Sequence, residues 1–188
     1  MRETNILTSH FSFDAIKKLD IYRAINEHGV ARLEGHIKES DVESYRSMLM
    51  EDVWLQISGE DDEGNTATLF YGIITDFSLR KRRHNCELGV TVMTGTYLMD
   101  IVPHLRSFQD GELTYYDVMD IVNEPYHKPG VIGDAKAHEP IEAFVLQNNE
   151  TDWAFIKRLA SKCGSYITPA IDREGVIYYF GNQSTLAE

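Results

Sequence analysis

The sequence is poor in positive charge and in cysteine. Among its 188 residues, 18 lysines and arginines stand against 30 aspartates and glutamates, for a net charge of -12. Because phosphate binding depends on Lys and Arg, this balance argues against broad affinity for nucleic acid or anionic membranes. The two cysteines, Cys86 and Cys163, lie far apart and have neither metal-site nor redox spacing. Both are predicted to be small buried hydrophobic residues.

Long apolar runs are also missing. No segment approaches the roughly 18 residues of a membrane span, and the N-terminus lacks a charged-then-apolar signal pattern. We therefore expect synthesis and folding in the cytoplasm without a signal peptide. The 43% apolar and 26% charged composition is typical of a soluble globular protein with one sizeable core or two small ones.

Common catalytic and metal-binding signatures are absent, so no cofactor or metal is predicted. The sequence contains no His-Glu-x-x-His, no Gly-x-Ser-x-Gly and no phosphate-binding loop. His84 and Cys86 have no second ligand pair, and His127 and His138 flank a Pro/Gly-rich loop in which histidines are usually solvated. The carboxylates of residues 60–63 are consecutive, whereas a calcium loop needs alternating ligands.

The N-terminal half has the alternation of a small antiparallel barrel. Two strands are expected between residues 16 and 37, then a helix at 41–50 behind a capping box at 40–43, then a strand at 53–57. Residues 66–79 and 87–94 predict a long hairpin whose end carries the only basic run. The run consists of Arg80, Lys81, Arg82 and Arg83. A basic run in this position is more often the solvated tip of a hairpin than a nucleic-acid-binding site.

The second half mixes helices and strands. Thr114 is predicted to cap a helix that ends before Pro125, residues 126–140 form a surface loop, and two strands surround a turn at 172–175. A strand end at Gln147 leads into a helix with an apolar face that stops at Gly164. The predicted fold is α+β and mainly β: a barrel with an inserted helix (1–95), then a helical connector and α/β lobe with a partial second barrel (96–188).

Three ordered blocks resemble the hub region of the valine-glycine repeat protein G (VgrG) spike family, the baseplate hub of contractile injection systems and phage tails. Gly72 fits an apolar-Gly-apolar strand, and Phe108 and Gln109 resemble a Phe-Gln-Asn/Asp block before a short helix. Asn148 stands where the family's third block usually has an aromatic residue. The other positions of that block are similar and are filled by Gln147, Glu150, Thr151, Asp152, Trp153, Phe155, Arg158 and Leu159.

The resemblance implies a non-enzymatic structural hub of a phage-tail-like or type VI-like apparatus. It implies a homotrimer whose ring joins a hexameric tail tube protein ring to a trimeric spike or needle, within an assembled particle. Because family hubs continue past residue 188, we expect either a fragment or a shortened relative, with exposed strand edges near Phe180 that favour association. The long hairpin is expected to contact the tube.

Two alternatives stay open. A hydrolase could use Glu150 and Asp152 as acid and base, although their place at a helix start is already explained by capping. A histidine within hydrogen-bond distance of either carboxylate in a concave pocket would favour that alternative. A ligand-binding barrel would instead be a stable monomer with aromatic residues in a groove.

Overall fold

The computed structural model describes residues 5–82, 85–141 and 144–181, which divide into two compact units. Described residues within Met1–Arg23, Gly29–Thr94 and Ile171–Glu174 form the first unit. The second contains those within Ala24–His28, Gly95–Ala170 and Gly175–Glu188. The chain therefore passes between the units more than once, whereas the predicted division after residue 95 is a single cut. That division stays a prediction.

The first unit is one antiparallel sheet with an inserted helix. Its strands are β1 (Asn5–Thr8), β2 (Ala15–Tyr22), β3 (Val30–Ile37), β4 (Trp54–Glu60), β5 (Thr66–Arg82) and β6 (Asn85–Met93). Their order is β1-β4-β5-β6-β3-β2, and the sheet curls into a half-barrel. Alternate residues of β3, β4 and β6 are buried, which is the pattern of a sheet with one covered face. The predicted long hairpin is confirmed as β5 and β6.

The helix α1 (Val42–Met48) is present, but its predicted capping box was wrong. A 3₁₀ helix at Glu39–Asp41 precedes it, and Asp41 at the N-cap makes no side-chain cap. The Ser40 hydroxyl donates to Asp41 Oδ1 at 2.8 Å instead. Because the 3₁₀ turn keeps Asp41 in helical backbone geometry, Ser40 does not occupy the extended N-cap position that a capping box requires.

The second unit combines two small sheets with two helices. In chain order its elements are β7 (Pro103–Phe108), α2 (Tyr115–Asn123), β8 (Gly130–Gly133), β9 (Val145–Thr151), α3 (Asp152–Lys162), β10 (Ile167–Pro169) and β11 (Ile177–Phe180). β7 pairs with β9 antiparallel, and β11 lies between β10 and β8. Thr114 caps α2 as predicted, in a full capping box with Asp117. Together the two units confirm an α+β, mainly β fold.

Two predictions for this unit were wrong. The predicted surface loop contains β8 and a 3₁₀ helix at Ala135–His138, and β8 pairs parallel with β11. Consequently Phe180 belongs to a central strand and is buried, so it is not at an exposed edge. The four-residue β8 begins and ends with glycine, a composition typical of a turn, and only its distant partner strand makes it extended.

Each unit has its own apolar core. In the second unit, Trp153, Phe155, Ile156 and Leu159 of α3 are fully buried against residues of α2, β10 and β11. The predicted apolar face of α3 is thereby confirmed, and Gly164 ends the helix with φ at 64°. Cys86 is buried in the first core, whereas Cys163 is only half-buried. Among the described helices, none combines the length and apolar character needed to cross a membrane.

Gly72 provides a test of how closely β5 and β6 approach. A Cβ atom placed on Gly72 would lie 2.1 Å from the backbone oxygen of Met93, which cannot move without disturbing the strand pair. Gly72→Ala should therefore lower the free energy of unfolding by about 1–3 kcal/mol, the usual cost of overpacking. Gly111→Ala is the matched control, because nothing lies within 4 Å of its added Cβ. Equal urea-denaturation midpoints for the two variants would contradict the close approach.

Candidate functional site

The third sequence block forms a strand-to-helix junction between β9 and α3. Thr151 is the N-cap, and its hydroxyl accepts a hydrogen bond from the Ala154 backbone N–H at 3.2 Å. Trp153 and Leu159 point into the core, and Phe155 stacks on Phe108 with ring centroids 5.9 Å apart. Gln109 follows β7 and is exposed. Most residues of the block are thus buried. Glu150 and Arg158, which form a hydrogen bond with each other, lie at the surface.

Asp152 is the centre of a buried polar network. Its side chain has 0% exposure, and its carboxylate accepts hydrogen bonds from both terminal nitrogens of Arg106, from Gln147 Nε2 at 2.7 Å and from the Tyr126 hydroxyl at 2.6 Å. Gln147 also accepts from Arg106 and donates to the backbone oxygen of Glu150. Burial, followed by the neighbouring Asp152 carboxylate, raises the pKa of Tyr126, so its hydroxyl stays protonated and keeps donating.

The interpretation of Asp152 as a capping residue was therefore wrong. Thr151 already occupies the N-cap, and Asp152, as the first helical residue, turns its carboxylate toward Arg106 on β7. A buried carboxylate needs a nearby cation and several donors, and this requirement outweighs the weaker attraction of the helix terminus. Arg106 itself has no distinguishing signal in the sequence, since its partner lies 46 residues away.

Glu150 is engaged separately, on the surface. Its carboxylate accepts hydrogen bonds from Arg158, whose Nη2 also donates to the backbone oxygen of Leu146 at 2.6 Å. Arg158 thereby ties α3 to β9. Glu150 and Asp152 thus have different partners and do not form an acid–base pair.

The histidine test of the hydrolase alternative is not met at Asp152. His104 Nε2 lies 3.7 Å from Asp152 Oδ2, beyond hydrogen-bond distance, and the carboxylate is inaccessible to a substrate. A different histidine, His28, contacts Thr96 Oγ1 at 2.9 Å and Asp100 Oδ2 at 3.4 Å. Although this arrangement resembles a hydrolytic triad, Thr96 is fully buried and cannot act as a nucleophile.

The His28 cluster supports the same junction. Thr151 Oγ1 donates to Asp100, so one hydroxyl serves both the helix cap and the Asp100 carboxylate. The centroids of the His28 and Trp153 rings lie 4.7 Å apart. Burial lowers the pKa of His28 despite the opposing effect of Asp100, so the neutral imidazole is favoured. Sequence reasoning missed this cluster, because no spacing rule connects residues 28, 96 and 100.

Metal binding finds no support among the residues that the structure describes, where no three potential ligands cluster. Asp61 of the acidic loop instead accepts hydrogen bonds from Asn65 Nδ2, Asn65 N and Glu63 N, which lower the pKa of its carboxyl group. His138 stacks on Tyr116 with ring centroids 5.2 Å apart. His84 lies outside the described residues.

The basic run lies at the far end of the long hairpin. Arg80, Lys81 and Arg82 are residues of β5, so the strand extends into the run, while Arg83 lies outside the described part of the chain. Arg80 and Lys81 are exposed, and Lys81 forms an ion pair with Glu39. Beside them is a groove of about 280 Å³. It is lined by Glu39, Val42, Glu43, Arg46, Leu79, Arg80, Lys81 and Cys86.

The Asp152 network can be tested by removing its cation. Arg106→Met should lower the free energy of unfolding by at least about 2 kcal/mol, because it leaves a buried charge uncompensated while Gln147 and Tyr126 still donate. Adding Asp152→Asn should recover part of that loss. Arg46→Met is the control, since Arg46 pairs with Glu43 on the surface, where ion pairs contribute about 0–1 kcal/mol. Similar urea-denaturation losses for Arg106→Met and the control would refute the network's importance.

No curated protein sequence matches the chain. Among solved structures, a 43 kDa tail protein of prophage MuSo2 from Shewanella oneidensis has a TM-score of 0.69 at 16% identity, over 97% of this chain and 55% of its own. The tail protein of Neisseria meningitidis MC58 has a TM-score of 0.65 at 14% identity, over 97% of this chain and 52% of its own.

The E. coli c3393 protein has the same fold, with a TM-score of 0.63 at 15% identity over 96% of this chain and 50% of its own. It is described as a type VI secretion component that resembles the T4 bacteriophage tail proteins gp27 and gp5. This chain thus spans about half the length of these solved structures. The sequence model of the phage tail baseplate hub (GPD) family matches residues 24–185, and the chain therefore belongs to that family.

Proposed function

We propose that the chain is a structural hub protein that forms a homotrimeric ring between the tail tube and the spike of a contractile phage-tail-like or type VI-like apparatus. The observation that carries this proposal is the family match across residues 24–185. The shared fold of phage tail proteins and a type VI secretion component supports it. In this proposal the protein is assembled into the particle and does not catalyse a reaction.

The roles of the acidic residues favour a structural function over hydrolysis. Asp152 is buried and fully engaged by Arg106, Gln147 and Tyr126, and Glu150 binds Arg158. A general acid or base must reach its substrate, which this burial prevents for Asp152. The same contacts cross-link β7, β9, α3 and the segment after α2, which suits a structural component.

The homotrimer can be tested by measuring the absolute mass of the purified chain by light scattering over a range of concentrations. We expect the mass to approach that of three 21.5 kDa chains as concentration rises. A stable dimer would contradict three-fold assembly but keep self-association. A constant single-chain mass would contradict self-association of this chain altogether and favour the ligand-binding alternative.

The hairpin end is proposed to contact the tube ring. In a chain of net charge -12, Arg80 and Lys81 project an exposed basic end from β5, which suits an acidic partner surface. Reversing both charges to Glu should weaken co-sedimentation with assembled tail tubes of the same particle at least tenfold. Lys17→Glu/Lys18→Glu is the charge-matched control, on exposed residues of β2. Unchanged co-sedimentation of the hairpin variant would show that the basic run is only a solvated end.

A further inference from the structure

The connection between β2 and β3 belongs to the second unit, although both strands belong to the first. The chain leaves the first unit after Arg23 and returns to it at Gly29. We call the residues between them, Ala24–His28, the 24–28 segment. So short a segment has no core of its own. Its position therefore depends on the few contacts that it makes within the second unit.

Asn26 provides one attachment of this segment. Its backbone N–H donates to the Ile167 oxygen at 2.8 Å, and its side-chain oxygen accepts from the Ile167 N–H at 3.0 Å. The backbone of Asn26 is left-handed, with φ at 61°, a conformation that asparagine adopts more readily than most residues. Neither residue of this pair titrates, so the attachment does not itself respond to pH.

His28 provides the second attachment, and its side chain is only 12% exposed. Its ring packs on Trp153 of α3, with centroids 4.7 Å apart and an interplanar angle of 33°, and lies nearly perpendicular to the ring of Tyr97. Nδ1 lies 2.9 Å from Thr96 Oγ1, and Nε2 lies 3.4 Å from Asp100 Oδ2. The imidazole therefore joins the 24–28 segment to α3 and to the 3₁₀ helix that precedes β7.

The hydrogen bonds of His28 suit a neutral imidazole. The ionised Asp100 carboxylate can only accept, so Nε2 carries the ring proton and donates to it. Nδ1 then accepts from the Thr96 hydroxyl. A second proton, on Nδ1, would set two donors against each other unless the Thr96 hydroxyl turned, and Thr96 is fully buried. Protonation therefore disrupts the attachment made through Thr96.

Burial is the largest influence on the charge of His28. It disfavours the protonated ring and holds the pKa of His28 below its usual value of about 6.5. Asp100 acts in the opposite direction, but its carboxylate is 40% exposed and also accepts from Thr151, so solvent and a second donor weaken its effect. Lys157 on α3 adds repulsion, and Tyr97 adds no charge near neutral pH.

We propose that the 24–28 segment is a pH-sensitive switch, in which neutral His28 holds the segment on α3 and protonated His28 releases it. In the released segment the imidazole is in water, where it binds a proton more readily than in the bound segment. The stabilisation of the bound segment is therefore complete above about pH 6.5 and decreases as the pH falls toward the lower pKa of the bound ring. The Asn26 hydrogen bonds lie at an exposed residue and contribute little alone, so they open with the segment.

The first test is an NMR titration of His28 in the unmodified chain. We expect a pKa below about 6.5, with the amide shifts of Asn26 and Ile167 changing over the same pH range. A pKa at or above that value would overturn the switch, because the bound ring would then attract the proton instead of excluding it. The switch does not depend on the proposed hub function, since all its residues belong to one chain.

Hydrogen exchange tests the release itself. Between about pH 7.5 and 5.5, the protection factors of the Asn26 and Ile167 amides should fall at least about threefold. The reference is the Ile74 amide, which donates to the Val53 oxygen in the first unit and should keep its protection factor. An equal fall at Ile74 would indicate general unfolding of the chain and would overturn a local switch.

Two substitutions assign the effect to His28. His28→Phe keeps an aromatic ring beside Trp153 but cannot take a proton, so the protection of Asn26 and Ile167 should be the same at both pH values. His10→Gln is the matched control, because it removes an exposed histidine and should leave the pH-dependent fall unchanged. A fall that persists in His28→Phe would assign the pH dependence to another group and overturn the proposal.

Discussion

The buried carboxylate of Asp152 is the constraint on which the second unit depends. Removing a carboxylate from water costs several kcal/mol unless a cation and hydrogen-bond donors replace the lost solvent. Here the replacements come from three separate parts of the chain: Arg106 on β7, Tyr126 after α2 and Gln147 on β9. The charge is satisfied only when these elements and α3 are all in place. Asp152 therefore links local helix formation to the tertiary arrangement of the unit.

The residues around this network support it at the helix start. Thr151 caps α3 and donates to Asp100, which in turn contacts His28, while the ring of His28 lies against Trp153. A cap alone contributes about 1 kcal/mol. Coupled to a buried ion pair and an aromatic core, the same residues define a single orientation of α3. The conspicuous sequence block is thus explained by packing and buried charge, without invoking a reaction.

Local signals predicted much of this fold. The capping box at Thr114, the apolar face of α3 and the alternation of β5 and β6 each lie within a short window of sequence. The failures involve long-range partners. β8 is extended only because it pairs with β11, and Asp152 was taken for a cap because Arg106, its partner, is distant in sequence. At Ser40 the capping pattern was present, but a preceding 3₁₀ turn changed the backbone geometry at the cap.

The β7–β9 ladder shows how one pair of strands can serve two structural purposes. Its inner positions, Arg106 and Gln147, are committed to a charge that stabilises the folded chain. Its outer positions, Leu105 and Leu146, make the surface apolar although the fold does not require it. Exposed leucines gain nothing in an isolated molecule, whereas burial of each contributes about 1.5–3 kcal/mol. Because the Asp152 network engages Arg106 and Gln147 from the inner side, the register that places Leu105 and Leu146 on the outer side does not depend on contacts made by the two leucines.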